Sequence, residues 1–263
     1  DYSKIIGDKG SEIIKKDNVF NKTKFFPDSK LNYTENILKK KSDKLAINFL
    51  SEKGFEENIT WNELYEKVCK FSSYLKKLNL QKGDRVAAYV PNKIETIICF
   101  LACAKNGIIW SSCSPDFGAQ GVVDRFKQIE PKVFITCDYY YYNGKKINIL
   151  DKVEKILKQI PSIKKVIAFN YNKQERESLK NFINFEETLK NDLDEVFERF
   201  EFNHPIYILF SSGTTGKPKC ITHGSGNVLI EHNKEFMLHC DIRENEKLFY
   251  YTTTGWMMWN WLV

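Results

Sequence analysis

The chain is short of arginine and of long apolar runs. Only five of its 40 basic residues are Arg, and the Lys residues are scattered, often beside Glu or Asp. Nucleic-acid binding by a basic patch needs positive charge clustered on one face, so this distribution argues against it despite a net charge of +6. The longest uncharged apolar run, residues 96–104, is too short to span a membrane. We therefore expect neither a nucleic-acid partner nor a membrane partner.

The sequence also lacks a Cys-x-x-Cys pair and any Cys/His cluster with zinc spacing. Its seven cysteines cannot all pair internally, and they lie mostly inside apolar stretches, at positions 69, 99, 103, 113, 137, 220 and 240. This pattern favours buried free thiols in a reducing compartment. No signal peptide is apparent at the N-terminus, and we expect a cytoplasmic protein.

The length and composition are typical of a globular protein of one large domain or two ordinary ones. Of the 263 residues, 42% are hydrophobic, 14% aromatic and 28% charged, which excludes disorder, a collagen-like repeat and a coiled coil. The sequence begins without Met and stops inside the apolar stretch WMMWNWLV, residues 256–263. We therefore expect a fragment of a longer polypeptide.

Helical and strand patterns alternate along most of the chain. Thr60 and Glu63 form a capping box before apolar residues spaced three and four apart, and Asn92 with Glu95 repeats that signature. Gly107 can end the second helix, because glycine readily adopts the left-handed backbone conformation that often follows a helix. Several predicted strands are apolar throughout, which indicates an α/β fold with a parallel sheet and helices on both faces. The predicted strands are 45–50, 86–90, 108–113, 133–136, 166–169 and 206–210; the predicted helices are 61–78, 94–104, 118–129 and 149–160.

Two stretches depart from this alternation. Residues 1–35 are irregular in pattern, and residues 170–204 are polar and charged. We interpret 170–204 as a surface excursion with a helix over 185–200, not as a linker between independent domains.

One loop concentrates hydroxyl, glycine and lysine residues directly after the predicted strand 206–210. Residues 211–219 read SSGTTGKPK. Glycines let the backbone approach a ligand closely, while hydroxyls, amides and lysines can surround anionic oxygens. The loop is not a Walker A motif, because two residues separate Gly213 from Gly216 where that motif has four. The pattern indicates a phosphate site at the carboxyl end of a parallel strand; the alternative is a polar turn without a ligand.

The segment SSGTTGKPK closely resembles the phosphate loop of the adenylate-forming (AMP-dependent) synthetases and ligases. The resemblance runs from about residue 31 to the end and is weak over 170–204; it is carried by LNYTENIL, ITWNELYEKV, KGDRVAAYVPN, IIWSSCSPDFG, DRFKQIEPKVFIT and GWMMWNWLV. It implies that residues 36–263 are an incomplete N-terminal AMP-binding domain of parallel sheets flanked by helices. Residues 1–35 would be a lead-in, and the small C-terminal domain would be absent.

The resemblance also implies a nucleotide-phosphate site. The glycines and threonines would hold the β- and γ-phosphates of ATP, with the serines shaping the loop and Lys219 at the recurrent lysine position of the family. The expected residues are Ser211, Ser212, Gly213, Thr214, Thr215, Gly216, Lys217 and Lys219. Cys220 departs from the usual Gly at its position, which puts the loop geometry there in question.

Two further segments are assigned by the same resemblance. Gly255, Trp256 and Met258 would line a pocket for a small acyl group; plain core packing is the alternative for Met258 and its neighbours. Gly144 and Lys145 lie where acetate-activating members carry an Arg-x-Gly-Arg stretch near coenzyme A, although neither arginine is present here. A solvated turn is the alternative for that segment.

The function implied is an ATP-dependent acid–CoA ligase that forms an acyl-adenylate, with ATP, Mg²⁺ and coenzyme A as cofactors. The stretches quoted are most similar to the acetoacetate-activating members, which makes acetoacetate the expected substrate. Acetate or another short or medium-chain acid is one alternative, and a non-catalytic nucleotide-binding remnant is another. The adenylation lysine and the magnesium-facing carboxylate would lie beyond Val263. No metal ligand is therefore expected within the chain, and the 263 residues alone are expected to be inactive.

Other signals are weaker. Asp116-Phe117-Gly118 matches a protein-kinase motif. No kinase glycine loop or His-Arg-Asp accompanies it, so we do not expect a kinase. His223 could edge the nucleotide or acyl pocket. His232 and His239 lie seven residues apart without an evident third ligand, so we favour a structural or surface role over a metal site.

Overall fold

The computed structural model describes residues 4–175, 177–212 and 216–263 and shows an α/β chain. Its helices are α1 (Tyr33–Ile37), α2 (Trp61–Lys77), α3 (Ile94–Lys105), α4 (Ala119–Phe126), α5 (Leu150–Leu157), α6 (Phe185–Thr188), α7 (Ser225–Lys234) and α8 (Met257–Leu262), with a 3-10 turn at Phe20–Lys22 and a π-helical turn at Glu235–His239. Its strands are β1 (Gly7–Asp8), β2 (Ile14–Lys15), β3 (Lys24–Phe25), β4 (Lys30–Leu31), β5 (Leu45–Leu50), β6 (Glu56–Thr60), β7 (Arg85–Tyr89), β8 (Ile109–Cys113), β9 (Val133–Cys137), β10 (Tyr139–Tyr142), β11 (Lys145–Asn148), β12 (Lys165–Phe169), β13 (Ile183–Asn184), β14 (Phe200–Glu201), β15 (Pro205–Ser211) and β16 (Lys219–Gly224).

A seven-stranded sheet organises the molecule, in the order β13-β12-β9-β7-β8-β15-β16. All neighbouring pairs are parallel except β15 with β16. Phe126 of α4 contacts the Phe134 ring from one face, and Phe100 of α3 contacts the Trp110 ring from the other. Trp110 is in register with Val86 of β7, and Phe134 is in register with the next residue, Ala87. Successive residues of a strand point to opposite faces, so Phe134 and Trp110 are on opposite faces of the sheet. Helices therefore cover both faces, which confirms the predicted α/β fold.

Most predicted elements are present with boundaries shifted by one to three residues. The capping box at α2 is confirmed: the Thr60 amide donates to the Glu63 carboxylate at 2.8 Å, and the Glu63 amide donates to Thr60 Oγ1 at 3.2 Å. Gly107 follows α3 with φ of +67°, as its role as a helix stop requires.

The predicted cap at Asn92 is wrong. Helix α3 begins at Ile94 after Lys93, whose side chain makes no capping hydrogen bond. The Asn92 side-chain oxygen accepts from Trp259 Nε1 at 2.9 Å instead. The side-chain oxygen that the local pattern assigned to a helix cap is therefore hydrogen-bonded to a residue distant in sequence.

The predicted helix over 185–200 is also wrong beyond its first turn, since α6 ends at Thr188. A buried lysine holds the chain that follows: Lys105 Nζ donates to Asp194 Oδ2 at 3.0 Å and to the Val196 carbonyl at 2.7 Å. Asn32 Nδ2 also donates to the Glu198 carbonyl at 2.7 Å. These carbonyls bond to side chains and not to a helix ladder, so no helix continues here. None of residues 189–199 is buried and Val196 is 70% exposed, so the segment lies at the surface, tied by polar contacts to buried Lys105 and Asn32.

Several elements were not predicted, two hairpins among them. Strand β16 forms an antiparallel hairpin with β15, and β6 forms one with β5. Both second strands are polar in sequence and largely exposed, so they lack the apolar pattern of buried strands.

The cysteine prediction holds in part. All seven thiols are free and five are buried, but Cys220 and Cys240 are exposed. Among the described residues, no helix is both long enough and apolar enough to cross a membrane. The cytoplasmic location stays a prediction, as do the boundaries of the proposed domain and of the lead-in.

Candidate functional site at the carboxyl edge of the sheet

The predicted phosphate loop is the turn of the β15–β16 hairpin. Ser211 ends β15 and pairs with Lys219, the first residue of β16. Gly213, Thr214 and Thr215 lie outside the described residues. The loop therefore leaves the carboxyl end of a strand that is parallel to β8, as predicted, but it returns into an antiparallel strand.

The described loop residues present polar and cationic groups to the surface. Gly216 has φ of +148°, which residues with a side chain rarely adopt, and a Cβ there would meet nothing within 4 Å. Ser212, Lys217 and Lys219 are exposed, and Ser211 is half-buried. The described residues thus offer two serine hydroxyls and two ammonium groups where β15 ends and β16 begins, which suits the binding of anionic oxygens.

The carboxyl ends of β7 and β8 are a topological switch point at the same edge of the sheet. The chain after β7 leads to α3 on one face, and the chain after β8 leads to α4 on the other. Two adjacent parallel strands whose connections diverge in this way leave a crevice where ligands bind in open α/β sheets. The phosphate loop follows β15, the next strand beyond β8.

The segment predicted to line the acyl pocket docks at this crevice. Thr254 is fully buried, and its Oγ1 donates to the Val90 carbonyl at 2.6 Å. Ser112 Oγ donates to the Thr254 carbonyl at 2.6 Å. A Cβ on Gly255 would lie 3.2 Å from the Ser114 amide nitrogen, so glycine permits the close approach. The structure thus brings this segment to the ends of β7 and β8.

The aromatic and Met residues after Gly255 divide between core and surface. Trp259 is fully buried against Phe100, with ring centroids 5.9 Å apart, so the core alternative is correct for it. Trp256 is 64% exposed, Met257 is exposed and Met258 is half-buried. The described residues do not enclose Trp256, and a role for it and Met258 in an acyl pocket stays a prediction.

The predicted coenzyme A segment forms the exposed turn of the β10–β11 hairpin. Asn143 and Gly144 have φ of +49° and +73°, as a two-residue hairpin turn requires. Their amides donate to the Glu52 carboxylate at 3.2 and 3.0 Å. Lys145 is exposed. The solvated turn is therefore what the structure shows, and coenzyme A binding by Gly144 and Lys145 stays a prediction.

His223 and His232 lie on the α3 face of the sheet. His223 packs against the Tyr207 ring with centroids 4.9 Å apart, and burial lowers its pKa. His232 of α7 is also buried, and burial together with nearby His223 lowers its pKa to about 4. No group of three or more metal-ligating side chains occurs among the residues that the structure describes.

Sequence reasoning missed the residues that anchor the Gly255 segment, namely Ser112, Thr254 and Asn92. The hydroxyl run TTT at 252–254 was a usable signal, because hydroxyls next to a glycine often bond to backbone groups. Asn92 gave a misleading signal, since its position also suits a helix cap.

Known proteins resemble this chain along its whole length. The acetoacetyl-coenzyme A synthetase of Rhizobium meliloti (strain 1021) is 43% identical over 269 residues, covering 100% of this chain and 41% of that protein. The acetoacetyl-CoA synthetase of Gallus gallus is 42% identical over 251 residues, covering 91% and 38%. The solved structure of acetoacetyl-CoA synthetase from Streptomyces lividans superposes with a TM-score of 0.93 at 35% identity, covering 99% of this chain and 41% of that one.

The chain thus spans about two fifths of the length of these relatives. A family model described as AMP-binding enzyme matches residues 34–261. That match covers most of the chain and includes the β15–β16 loop and the Gly255 segment, and the chain belongs to the AMP-binding enzyme family.

Proposed function

We propose that the full-length protein is an ATP-dependent acid–CoA ligase that converts acetoacetate, ATP and coenzyme A to acetoacetyl-CoA, AMP and diphosphate. The observation that carries the proposal is the likeness of almost the whole chain, at a TM-score of 0.93 and 35% identity, to a protein named acetoacetyl-CoA synthetase. Two further relatives with that name, at 43% and 42% identity, support the same acid.

The reaction has two steps. A carboxylate oxygen of the acid attacks the α-phosphorus of ATP, the bond from that phosphorus to the bridging oxygen breaks, and diphosphate leaves. The coenzyme A thiol then loses its proton and attacks the acyl carbon, and AMP leaves with the bonding electrons. Neither step needs a covalent enzyme intermediate, so the protein contributes by positioning the reactants and stabilising negative charge.

The residues of this chain would contribute to the first step at the carboxyl edge of the sheet. Lys217 and Lys219, with the hydroxyls of residues 211–215, would offset the charge of the leaving diphosphate. The Gly255 segment, held by Val90 and Ser112, would orient the acid from the neighbouring crevice. The described residues offer no side-chain cluster that fits Mg²⁺, and Mg²⁺ stays a prediction without a role in the steps above.

Isotope exchange between ATP and diphosphate in the full-length protein tests the proposal, because it reports adenylate formation without coenzyme A. We expect acetoacetate to support exchange with a higher kcat/KM than acetate, propionate or hexanoate. A clear preference for one of those acids would overturn the substrate assignment while leaving the ligase assignment intact.

Variants of the loop test the ligase assignment itself. Removing Thr214 and Thr215 hydroxyls together (T214A/T215A) should lower exchange by about 100-fold or more, as expected when two charge-assisted contacts to a developing anion are lost. Thr222→Ala is the matched control, since Thr222 is an exposed hydroxyl on β16. Nucleotide binding with no exchange for any acid would instead favour a non-catalytic nucleotide-binding protein.

A further inference from the structure

A cavity of about 310 Å³ is lined by residues other than those assigned to the carboxyl-edge site. Its walls come from residues 55–59, Lys67 of α2, the first part of α3, the start of α6 and the segment 172–174. None of these residues belongs to the phosphate loop, to the Gly255 segment or to the β10–β11 turn. The volume is at the lower end of the range for small-molecule sites in proteins.

One wall of the cavity carries a buried carboxylate that lacks a full set of partners. Glu95, in the first turn of α3, is 3% exposed, and its Oε2 accepts no hydrogen bond from the described residues. The ammonium nitrogens of Lys93 and Lys173 lie 3.9 and 3.6 Å from its two oxygens, beyond hydrogen-bond distance. Burial raises the pKa of Glu95, and Lys93 opposes that rise.

The neighbouring lysines are held elsewhere. Lys93 Nζ donates to Glu57 Oε2 at 2.6 Å and lies 4.4 Å from the centre of the Phe49 ring. Lys173 Nζ lies 2.9 Å from Glu186 Oε1. Moving either ammonium group towards Glu95 would lengthen a shorter ion pair. A hydrogen-bond donor entering from the cavity would satisfy Glu95 without that cost.

The charge and shape of the walls indicate the chemical class of that donor. Four carboxylates on the lining face two lining ammonium groups and that of Lys93, which pairs with Glu57. One negative charge is left over, and this favours a cation. Apolar side chains, including Ile98 and Phe185, form part of the same walls and suit a small hydrocarbon body. We propose that this cavity is a binding site for a small organic amine, whose protonated nitrogen pairs with Glu95 and whose apolar body lies against Ile98 and Phe185.

Calorimetric titration of the full-length protein with benzylamine tests the proposal, with benzyl alcohol as the uncharged control ligand. We expect saturable binding of benzylamine and weaker binding of benzyl alcohol. Glu95→Gln should weaken benzylamine binding by about tenfold or more, as expected for the loss of one charge-assisted hydrogen bond. Glu66→Gln, an exposed carboxylate on α2 outside the cavity, should leave the affinity unchanged.

A second variant covers the case in which Glu95→Gln does not fold. Asn58→Trp places a large ring on the exposed part of the cavity wall and should abolish benzylamine binding while the far-UV circular dichroism stays native. The proposal is overturned if the unmodified protein binds no benzylamine, if benzyl alcohol binds as tightly, or if the folded variants keep full affinity. None of these measurements depends on ligase activity, so they stand apart from the test of the proposed function.

Discussion

The side-chain amide of Asn92 joins two parts of the chain that are 167 residues apart in sequence. Its oxygen accepts from the indole nitrogen of Trp259, a side chain with no exposed surface. That bond fixes α8 and, through it, the Gly255 segment at the end of β7. A single amide therefore links the packing of the core to the geometry of the candidate site.

Removal of this amide should destabilise the protein. We expect Asn92→Ala in the full-length protein to lower the free energy of unfolding by about 1–2 kcal/mol, because the buried indole N–H loses its acceptor. Urea denaturation followed by tryptophan fluorescence measures the change. Asn62→Ala is the control, since Asn62 is exposed and donates to Asp43 at 2.7 Å. Equal effects of the two substitutions would contradict the role given to Asn92.

Gly107 is a second residue whose identity is set by its surroundings. It has φ of +67°, and a Cβ there would lie 2.8 Å from the Phe200 ring. Gly83 has a similar φ of +85° but open space around it. Comparing alanine substitutions at the two glycines therefore separates the energetic cost of backbone strain from the cost of steric overlap.

We expect Gly107→Ala to cost about 3 kcal/mol, because left-handed backbone strain and overpacking add, and Gly83→Ala to cost about 1 kcal/mol from strain alone. Thermal unfolding of both variants measures the difference. If Gly83→Ala were the more damaging of the two, the contact with Phe200 would not limit position 107.

Among the elements, α7 connects the edge of the sheet to the helices of the α3 face. It follows β16 directly, and its buried His232 faces the side of the sheet where His223 lies. Burial and nearby His223 lower the pKa of His232, whereas Glu235 opposes that effect. Docking of α7 therefore requires a neutral imidazole at position 232.

This requirement makes stability depend on pH. The folded-state pKa of His232 is about 4, and the unfolded value is near 6.5. Above pH 6.5 the group is neutral in both states, and the full stability is present. Between about pH 6.5 and 4 the unfolded chain binds the proton more readily, so up to about 3 kcal/mol of stability is lost as pH falls.

Chemical denaturation between pH 7.5 and 4.5 measures this effect as the difference between the unmodified protein and His232→Gln. The variant should lose less stability over that range. His239→Gln is the matched control, since His239 is 59% exposed on the π-helical turn that follows α7. An unchanged pH slope in His232→Gln would show that another group controls the transition.

At the scale of the whole molecule, several large apolar side chains between residues 248 and 257 are exposed. Phe249 and Tyr251 are 82% exposed, Trp256 is 64% exposed and Met257 is 57% exposed. Exposed apolar patches of this kind mark contact surfaces. The chain spans about two fifths of its relatives, and the remaining length would supply ample surface to cover these side chains.

A polypeptide of residues 1–263 should therefore behave differently from the full-length protein. We expect it to bind more of the hydrophobic dye ANS per mole and to show no acetoacetyl-CoA formation. Dye fluorescence and a thioester-formation assay, each with the full-length protein as control, measure both properties. Turnover by the 263-residue polypeptide would contradict the expectation.

Local signals in the sequence were sufficient for the alternation of strands and helices, the Thr60 capping box, the Gly107 stop and the SSGTTGKPK loop. Each of these depends on residues within a few positions of one another, so the sequence carries them directly. The same motif also indicated the family.

Contacts between distant residues were decided only by the tertiary structure. Lys105 forms hydrogen bonds with Asp194 and Val196, in a segment predicted to be helical. Trp259 donates to the Asn92 side chain, which was predicted to cap a helix. The cavity beside Glu95 likewise arises from β6, α3 and α6 together. Buried polar groups need hydrogen-bond partners, even when those partners are distant in sequence. This requirement overrides the local preference for a helix or a helix cap, and a sequence pattern does not show where it will do so.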